Sequence, residues 1–352
     1  MAKTDPAVSI ITPLYNCAEY IGECIESVIA QTYENWEYII VNNCSTDGSG
    51  DIARSYAKRD SRIRVIENKQ FLTAIPNQNE ALRQISRNSK YCKVVFADDW
   101  IFPECIERMV SVAEKHPSIG IVGAYVLNGT DVMCTGLSYR CEFSSGSEIC
   151  RQHLLKQLYV FGSANGVLYR ADLVRDREAF YNEAEIHADT EICFSVLRDN
   201  DFGFVHQILT FTRVRSRSLS TISTALQTDF AGMLRILRVH GPFFLSQDEL
   251  EDLTERHMHV YYKFLGKSLL LGNIAVLNFH GAKLRESKIG FSRSRVLKGV
   301  LSTLSDWASA PKSSIQKLVK IKKQRLHKNQ HQEQDFLVSR IAKSEKGDWH
   351  EC

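Results

Sequence analysis

The sequence predicts an α/β fold, a Rossmann-like, mostly parallel sheet flanked by helices, with a helical C-terminal region after it. Three observations predict this. Short apolar runs alternate with helical patterns from Val8 to Ala97, the mark of βαβ units. One of those runs, Lys93-Val94-Val95-Phe96-Ala97, ends in two adjacent acids, Asp98-Asp99. The crevice at the carboxyl ends of parallel strands is where such sheets bind ligands. Beyond Thr221 turn residues thin out and helical spacing takes over.

In order, Val8-Ser9-Ile10-Ile11-Thr12 is a buried strand that ends in the loop Pro13-Leu14-Tyr15-Asn16. Tyr20, Cys24, Ile25, Val28 and Ile29 recur at helical spacing over residues 19–31. A strand over 36–41 runs into Asn42-Asn43-Cys44-Ser45-Thr46-Asp47-Gly48, and a helix over 49–58 follows. Residues 62–66 form the third strand, 79–86 a helix, and the run ending in Asp98-Asp99 the fourth strand. Pro103 opens a further helical pattern. Residues 119–127 predict a strand, 128–143 hairpin strands between turns, 187–197 a helix, and 203–205 and 209–212 two more strands. Phe230, Met233, Leu234 and Leu237 make one helical stripe; Leu250, Leu253, Met258, Tyr261, Tyr262 and Leu265 make another. The expected division is a sheet domain over 1–224, a helical domain over 225–310 and a basic tail over 311–352.

A chain of 352 residues allows about two domains. Hydrophobic content of 44% and charged content of 24% are those of a soluble globular protein. A net charge of +3 gives no argument for nucleic acid. The ten cysteines form no CxxC pair, which argues against structural zinc; several, such as Cys92 and Cys105, sit in apolar patterns. Residues 1–6 hold no apolar run of the secretory kind, and 268–282 are too short and too interrupted to span a bilayer. The expectation is a cytoplasmic protein with reduced thiols.

Two carboxylates at a strand end suit Mg²⁺ or Mn²⁺ held jointly with phosphates. The plainer reading of Asp98-Asp99 is a solvated turn. The loop after the first strand has no glycine before Gly22, so it is not a dinucleotide fingerprint, and no Walker A motif is present.

Val8-Ser9-Ile10-Ile11-Thr12-Pro13-Leu14-Tyr15-Asn16, Ile25-Glu26-Ser27-Val28-Ile29-Ala30-Gln31-Thr32-Tyr33, Glu37-Tyr38-Ile39-Ile40-Val41-Asn42-Asn43-Cys44-Ser45-Thr46-Asp47-Gly48-Ser49 and Ala97-Asp98-Asp99 together resemble the family 2 inverting glycosyltransferases. The resemblance runs to about Ser220 and implies the GT-A fold. It implies that Pro13, Tyr15 and Asn16 line a nucleotide pocket and that Asp98 reaches the ribose or a metal-bound water. Asp99 would ligate Mn²⁺ or Mg²⁺. The family usually carries two acids where this chain has Asn42-Asn43; Asn43 still offers a carbonyl acceptor for a pyrimidine N–H. Otherwise 42–47 is a hydrogen-bonded turn capping the next helix. Residues 161–166 match a stretch that lies beneath the donor sugar. By position Asp189 is the general base, with Glu191 and His187 as alternatives; as plain structure, Asp189 and Glu191 are acids in a helix first turn. Arg213 and Arg215 would clamp the diphosphate, with Arg215 where many relatives have His; the alternative is a solvated loop.

The expected function is metal-assisted, inverting transfer of one sugar from a nucleotide-sugar, UDP-linked, to a saccharide or lipid-linked saccharide acceptor in polysaccharide or lipopolysaccharide synthesis. The Gln-x-x-Arg-Trp motif of processive relatives is absent. A second class is a non-catalytic nucleotide or carbohydrate binder on a degenerate version of the fold. A sugar nucleotidyltransferase would need a glycine-rich loop after strand one, which this chain lacks. Between Asp306 and Glu333 there is no acid, while Lys312, Lys317, Lys320, Lys322, Lys323, Arg325 and Lys328 are basic. That stretch fits peripheral contact with an anionic membrane at its inner face, or a solvated tail.

Overall fold

The computed structural model describes residues 5–309 apart from Gln157 and residues 216–218; the basic stretch from 311 onward lies outside the described residues. The elements run β1 (Val8–Leu14), α1 (Ile21–Ile29), β2 (Trp36–Asn42), α2 (Ser49–Ala57), β3 (Ile63–Glu67), α3 (Ala74–Arg83), β4 (Tyr91–Val94), β5 (Trp100–Ile101) and α4 (Cys105–Lys115). Then come β6 (Ile119–Asn128), β7 (Asp131–Met133), β8 (Phe143–Ser144), α5 (Gly146–Leu154), β9 (Val167–Arg170), α6 (Ala171–Arg175), α7 (Ala188–Leu197) and β10 (Asp201–Thr212). The helices α8 (Leu219–Leu226), α9 (Asp229–Val239), α10 (Gly241–Phe244), α11 (Gln247–Leu270), α12 (Ile274–Glu286) and α13 (Arg293–Ser309) complete the described residues.

The ten strands form one sheet in the order β3-β2-β1-β4-β9-β6-β10-β5, with β7 paired to β6 and β8 to β10 off this path. β3, β2, β1 and β4 are mutually parallel. β1 is buried along nearly its whole length, as a strand covered on both faces must be. α1 buries Ile21, Cys24, Ile25 and Val28, one face at i, i+3, i+4 and i+7. In the other half the pattern changes. β9 enters antiparallel between β4 and β6, and the short β5 pairs antiparallel with the end of β10.

Several boundaries differ from the sequence pattern for local reasons. α3 starts at Ala74 and takes Pro76 into its first turn, where a missing N–H costs nothing. α4 starts at Cys105, because Trp100–Ile101 first pairs as β5 ahead of Pro103. The two strands expected over 203–212 are one strand, β10, whose register against β6 shifts between Val205 and Ile208 and between Ile208 and Thr210. α5 went unmarked by apolar periodicity but carries a start signal: Ser145 accepts from the Glu148 N–H, in a Ser-x-x-Glu spacing.

The chain divides into two compact units: the sheet unit up to 218 together with Ile236–Ser246, and a helical unit of Leu219–Arg235 and the helices from Gln247 onward. The helical unit has its own core of Leu234, Met258, Tyr261, Tyr262, Leu265, Leu284 and Val296. In it α11 and α13 touch backbone to backbone at Gly266 and Gly299; a Cβ on Gly266 would lie 2.3 Å from the Val300 nitrogen. Among the described residues all nine cysteines are free, and no helix is long and apolar enough to cross a membrane.

In the sheet unit His153 of α5 stacks on Phe161 at 4.9 Å and meets Phe194 edge-on at 5.3 Å. Its buried Nδ1 has no protein partner among the described residues. Burial lowers its pKa from 6.5 to about 4. Between those values the unfolded chain takes a proton that the folded one refuses. The contribution of His153 to stability is therefore constant above pH 6.5 and falls as pH drops toward 4. We predict that His153→Phe removes this slope. The wild-type loss of unfolding free energy between pH 7 and pH 4.5, measured by urea titration, should exceed that of the variant by roughly 2–3 kcal/mol. Equal losses would contradict the buried neutral imidazole.

Candidate functional site

The loops that follow β1 and β2 lie side by side because those strands are parallel neighbours. They are joined by side chains. Asn16, in the left-handed region at φ +46°, accepts from the Thr46 N–H at 2.8 Å, and its own N–H donates to Ser45 Oγ at 3.1 Å. Asp47 accepts from the Ala18 N–H at 2.8 Å and from the Ser49 N–H and hydroxyl at 3.0 and 2.6 Å. Partial burial works against the Asp47 charge, but these donors outweigh it and hold the carboxyl below its usual range. Pro13 is partly buried in β1 opposite Val41. Tyr15 is 46% exposed and its ring lies 4.8 Å from that of Phe71, 50% exposed.

Asn43 is 2% exposed. Its Oδ1 accepts from the Leu72 N–H and from Asn68 Nδ2, both at 2.9 Å, and its Nδ2 donates to the Leu72 carbonyl at 2.7 Å. The side chain thus grips the 68–72 loop as a strand partner would, and it sets Phe71 beside Tyr15.

Asp98-Asp99 occupy the turn between β4 and β5, closed by the Asp99 N–H on the Phe96 carbonyl at 2.9 Å. The antiparallel pairing of β5 with β10 stacks Trp100 on Phe211 and brings Arg213 against the acids. The Arg213 N–H donates to Asp99 Oδ1 at 2.8 Å and its Nε to the Asp98 carbonyl at 3.1 Å. Arg215 pairs with the Asp98 carboxylate at 2.7 Å. Both guanidinium groups lie over Tyr20, at 4.6 and 5.4 Å from its ring centre. Beside Arg215 an open cleft of about 480 Å³ is lined by Asn16, Cys17, Tyr20 and Asp47 among others.

Asp99 is only 3% exposed, and Asn165 Nδ2 donates to its Oδ2. Burial first, and the Asp98 charge second, push its pKa up to about 8 against the Arg213 N–H and the two arginines. Two oxygens with two engaged acceptor positions leave further lone pairs for a cation. Among the described residues no group of three or more His, Cys, Asp or Glu converges. The donor set of Asp98 and Asp99 therefore fits a hard divalent ion that takes its remaining ligands from phosphate and water.

Asp189 lies in the first turn of α7, where Thr190 N–H donates to its Oδ1 at 2.8 Å. Burial raises its pKa, against the pull of that N–H and of His187. Glu191 accepts from Asn182 Nδ2 at 3.1 Å and lies 3.8 Å from His240. Among the described residues no hydrogen bond or ion pair joins Asp189 to Asp98 or Asp99. The structure thus groups Asn16 with Asp47, Tyr15 with Asn43 through Phe71, and Asp98 and Asp99 with Arg213 and Arg215. Asn165 falls in the 161–166 stretch set beneath a donor sugar by resemblance, but the sequence pattern gives neither it nor Lys93 a role at Asp99. A lysine inside the apolar run from Tyr91 to Val95 was the available signal.

A family model described as glycosyl transferase family 2 matches residues 9–177. An uncharacterized glycosyltransferase of Haemophilus influenzae is 31% identical over 52% of this chain and 58% of its own. The candidate teichuronic acid biosynthesis glycosyltransferase TuaG of Bacillus subtilis is 39% identical over 34% of this chain and 48% of its own. The chain therefore spans about half the length of these relatives. Among solved structures, Staphylococcus aureus TarS 1–349 in complex with UDP-GlcNAc superposes with a TM-score of 0.62 at 15% identity, covering 88% of this chain and 92% of that one. The mannosyltransferase PcManGT from Pyrobaculum calidifontis, in complex with GDP-Man and Mn²⁺, gives 0.53 at 14%, covering 86% and 88%. These likenesses are of fold: a central sheet flanked by helices, with C-terminal helices after it.

Asp47→Ala removes three hydrogen bonds, one that joins the two loops, from the Ala18 N–H, and two from Ser49 at the start of α2. We predict a loss of about 1–3 kcal/mol in stability by urea titration. An unchanged value would show that the loops are held by other means.

Proposed function

From the match of residues 9–177 to the glycosyl transferase family 2 model, we propose that the protein transfers one sugar, with inversion, from a UDP-linked donor to a hydroxyl of a saccharide or lipid-linked acceptor. The observation that carries this reading is the acid pair Asp98-Asp99. It follows a strand of the parallel half of the sheet, in a chain whose β1 and β2 loops are stitched together alongside. Support for the donor comes from the exposed Tyr15–Phe71 pair, two aromatic rings tilted by 58° to one another, either of which offers a face to a base. Asn43 acts in this reading by holding the 68–72 loop and presenting Phe71. The base-reading contact expected of its carbonyl would require those internal hydrogen bonds to open.

Asp98 and Asp99 would hold Mn²⁺ or Mg²⁺. Such an ion, when bound, stabilises the negative charge that collects on the departing diphosphate. Arg213 and Arg215 add positive charge at the same place, and Arg215 can exchange Asp98 for phosphate oxygens. Asp189 accepts the acceptor hydroxyl's proton as that oxygen bonds to the anomeric carbon and the bond from that carbon to the diphosphate oxygen breaks. A carboxyl with a raised pKa is a stronger base once ionised, which suits this role. The name of the TuaG relative supports a place in cell-surface polysaccharide synthesis.

The exposed residues Leu297, Leu301 and Leu304 of α13, with Arg293 and Lys298 nearby on the same helix, support peripheral contact with an anionic membrane, continued by the basic sequence after 311. Sedimentation with anionic vesicles should fall several-fold when Lys317, Lys320, Lys322 and Lys323 are all changed to Gln. Equal sedimentation would remove the tail from this reading.

The enzyme reading is tested by nucleoside diphosphate release from a panel of nucleotide-sugars, with and without Mn²⁺. Asp189→Asn should lower turnover by about 10²–10⁴-fold while UDP binding stays within twofold. Full activity in that variant would return the base role to Glu191 or His187. Sugar-nucleotide binding with no release under any condition would favour a non-catalytic binder.

A further inference from the structure

Lys93 is fully buried in β4, in a strand otherwise apolar toward the core. An ammonium in that position costs several kcal/mol unless its protons are engaged. Its Nζ donates to the backbone carbonyls of Asn165 and, at 3.4 Å, of Val167. Burial lowers its pKa, and the Asp99 and cysteine charges work the other way.

Asn165 is itself fully buried, in the 3-10 turn Ala164–Gly166 that leads into β9. Its carbonyl takes a second donor, Thr210 Oγ1, at 3.1 Å. Its side-chain Oδ1 accepts from Ser163 Oγ. Its Nδ2 donates to Asp99 Oδ2 and to Thr212 Oγ1, the latter at 3.1 Å. A continuous line of polar contacts thus runs from the Lys93 ammonium, through the backbone and amide of Asn165, to one oxygen of Asp99. The other oxygen is held by the Arg213 N–H.

A core network that served stability alone would not need a carboxylate at its end. Asp99 lies 3% exposed beside a second acid, the least favourable neighbour for a buried charge. Fixing both of its oxygens leaves the carboxylate one orientation and aims its remaining lone pairs in fixed directions.

We propose that Asn165, anchored by Lys93 and Thr210, is a positioning residue that orients Asp99 toward the divalent cation shared with the donor diphosphate. This rests on the reading of Asp98-Asp99 given above. Lys93 and Thr210 fix the backbone of the turn, and the planar amide transmits that placement to the carboxylate. Removing the amide frees Asp99 to rotate, so cation affinity falls while the nucleotide pocket around Tyr15 and Asn43 is untouched.

The test uses the full chain and two ligands, UDP alone and Mn²⁺ in saturating UDP. UDP affinity is measured by calorimetry without metal, and Mn²⁺ affinity by the loss of the free-ion electron paramagnetic resonance signal. Asn165→Leu and Asn165→Ala, the second leaving room for water, should keep UDP affinity within about twofold. Both should weaken Mn²⁺ binding by about 10–100-fold, as loss of an outer partner of a metal ligand does. Lys93→Met should act in the same direction with a smaller effect, and it keeps the test open if neither Asn165 variant folds. A wild-type chain that takes up no Mn²⁺ with UDP overturns the metal reading, and this inference with it. Wild-type binding matched by equally tight binding in the variants overturns this inference alone. Parallel loss of both affinities would make Asn165 a structural residue only and would also overturn it.

Discussion

The structure around the candidate site depends on how a buried carboxyl is given partners. Asp99 is buried beside Asp98, and an unpaired carboxylate there would cost more than most domains have to spare. Its donors come from distant parts of the chain: Asn165 ahead of β9, the Arg213 N–H after β10, and, on the neighbouring acid, Arg215. Only the sheet order brings them together. β9 must lie next to β4 to place Asn165, and β10 must pair with β5 to place Arg213. The mixed half of the sheet is thus tied to the acid pair as closely as the parallel half is.

The parallel half has a different task. Adjacent parallel strands end on the same side, so the loops after β1 and β2 meet. Asn16 and Asp47 then tie them together with bonds to backbone N–H groups. Those two residues replace flexible loop with a defined rim, and Asn43 extends the rim by gripping the 68–72 loop. The proposed donor surface, Tyr15 with Phe71, is a product of that grip rather than of any property of the two aromatics alone. In the helical unit, the contact of α11 with α13 similarly depends on two positions, Gly266 and Gly299, where any side chain would push the backbones apart.

Much of this was legible in the residues in order. The alternation of apolar runs and helical stripes located β1 to β4 and α1 to α2 within a few residues, because local burial repeats with a period that the chain itself carries. The Ser-x-x-Glu start of α5 comes with no apolar periodicity to mark a helix, and the pairing of β5 is invisible in sequence, since two residues such as Trp100 and Ile101 hold no periodicity. Asn43 was legible as a polar residue at a strand end and as a departure from its relatives. Its commitment to Leu72 was not, because the partner is a backbone group whose position depends on a separate loop.

The sequence by itself determined the α/β class, the helical character beyond Thr221, the family resemblance and the acid pair at the head of the crevice. Each of these is local: a period, a run, a motif. The tertiary structure alone decided that Asp99 is buried, that Arg215 lies on Asp98, and that Lys93 reaches Asp99 through Asn165. Those contacts join residues 66 to 117 positions apart in sequence. No pattern along the chain encodes them, because they follow from which strands lie side by side, and that is settled by the packing of the whole sheet.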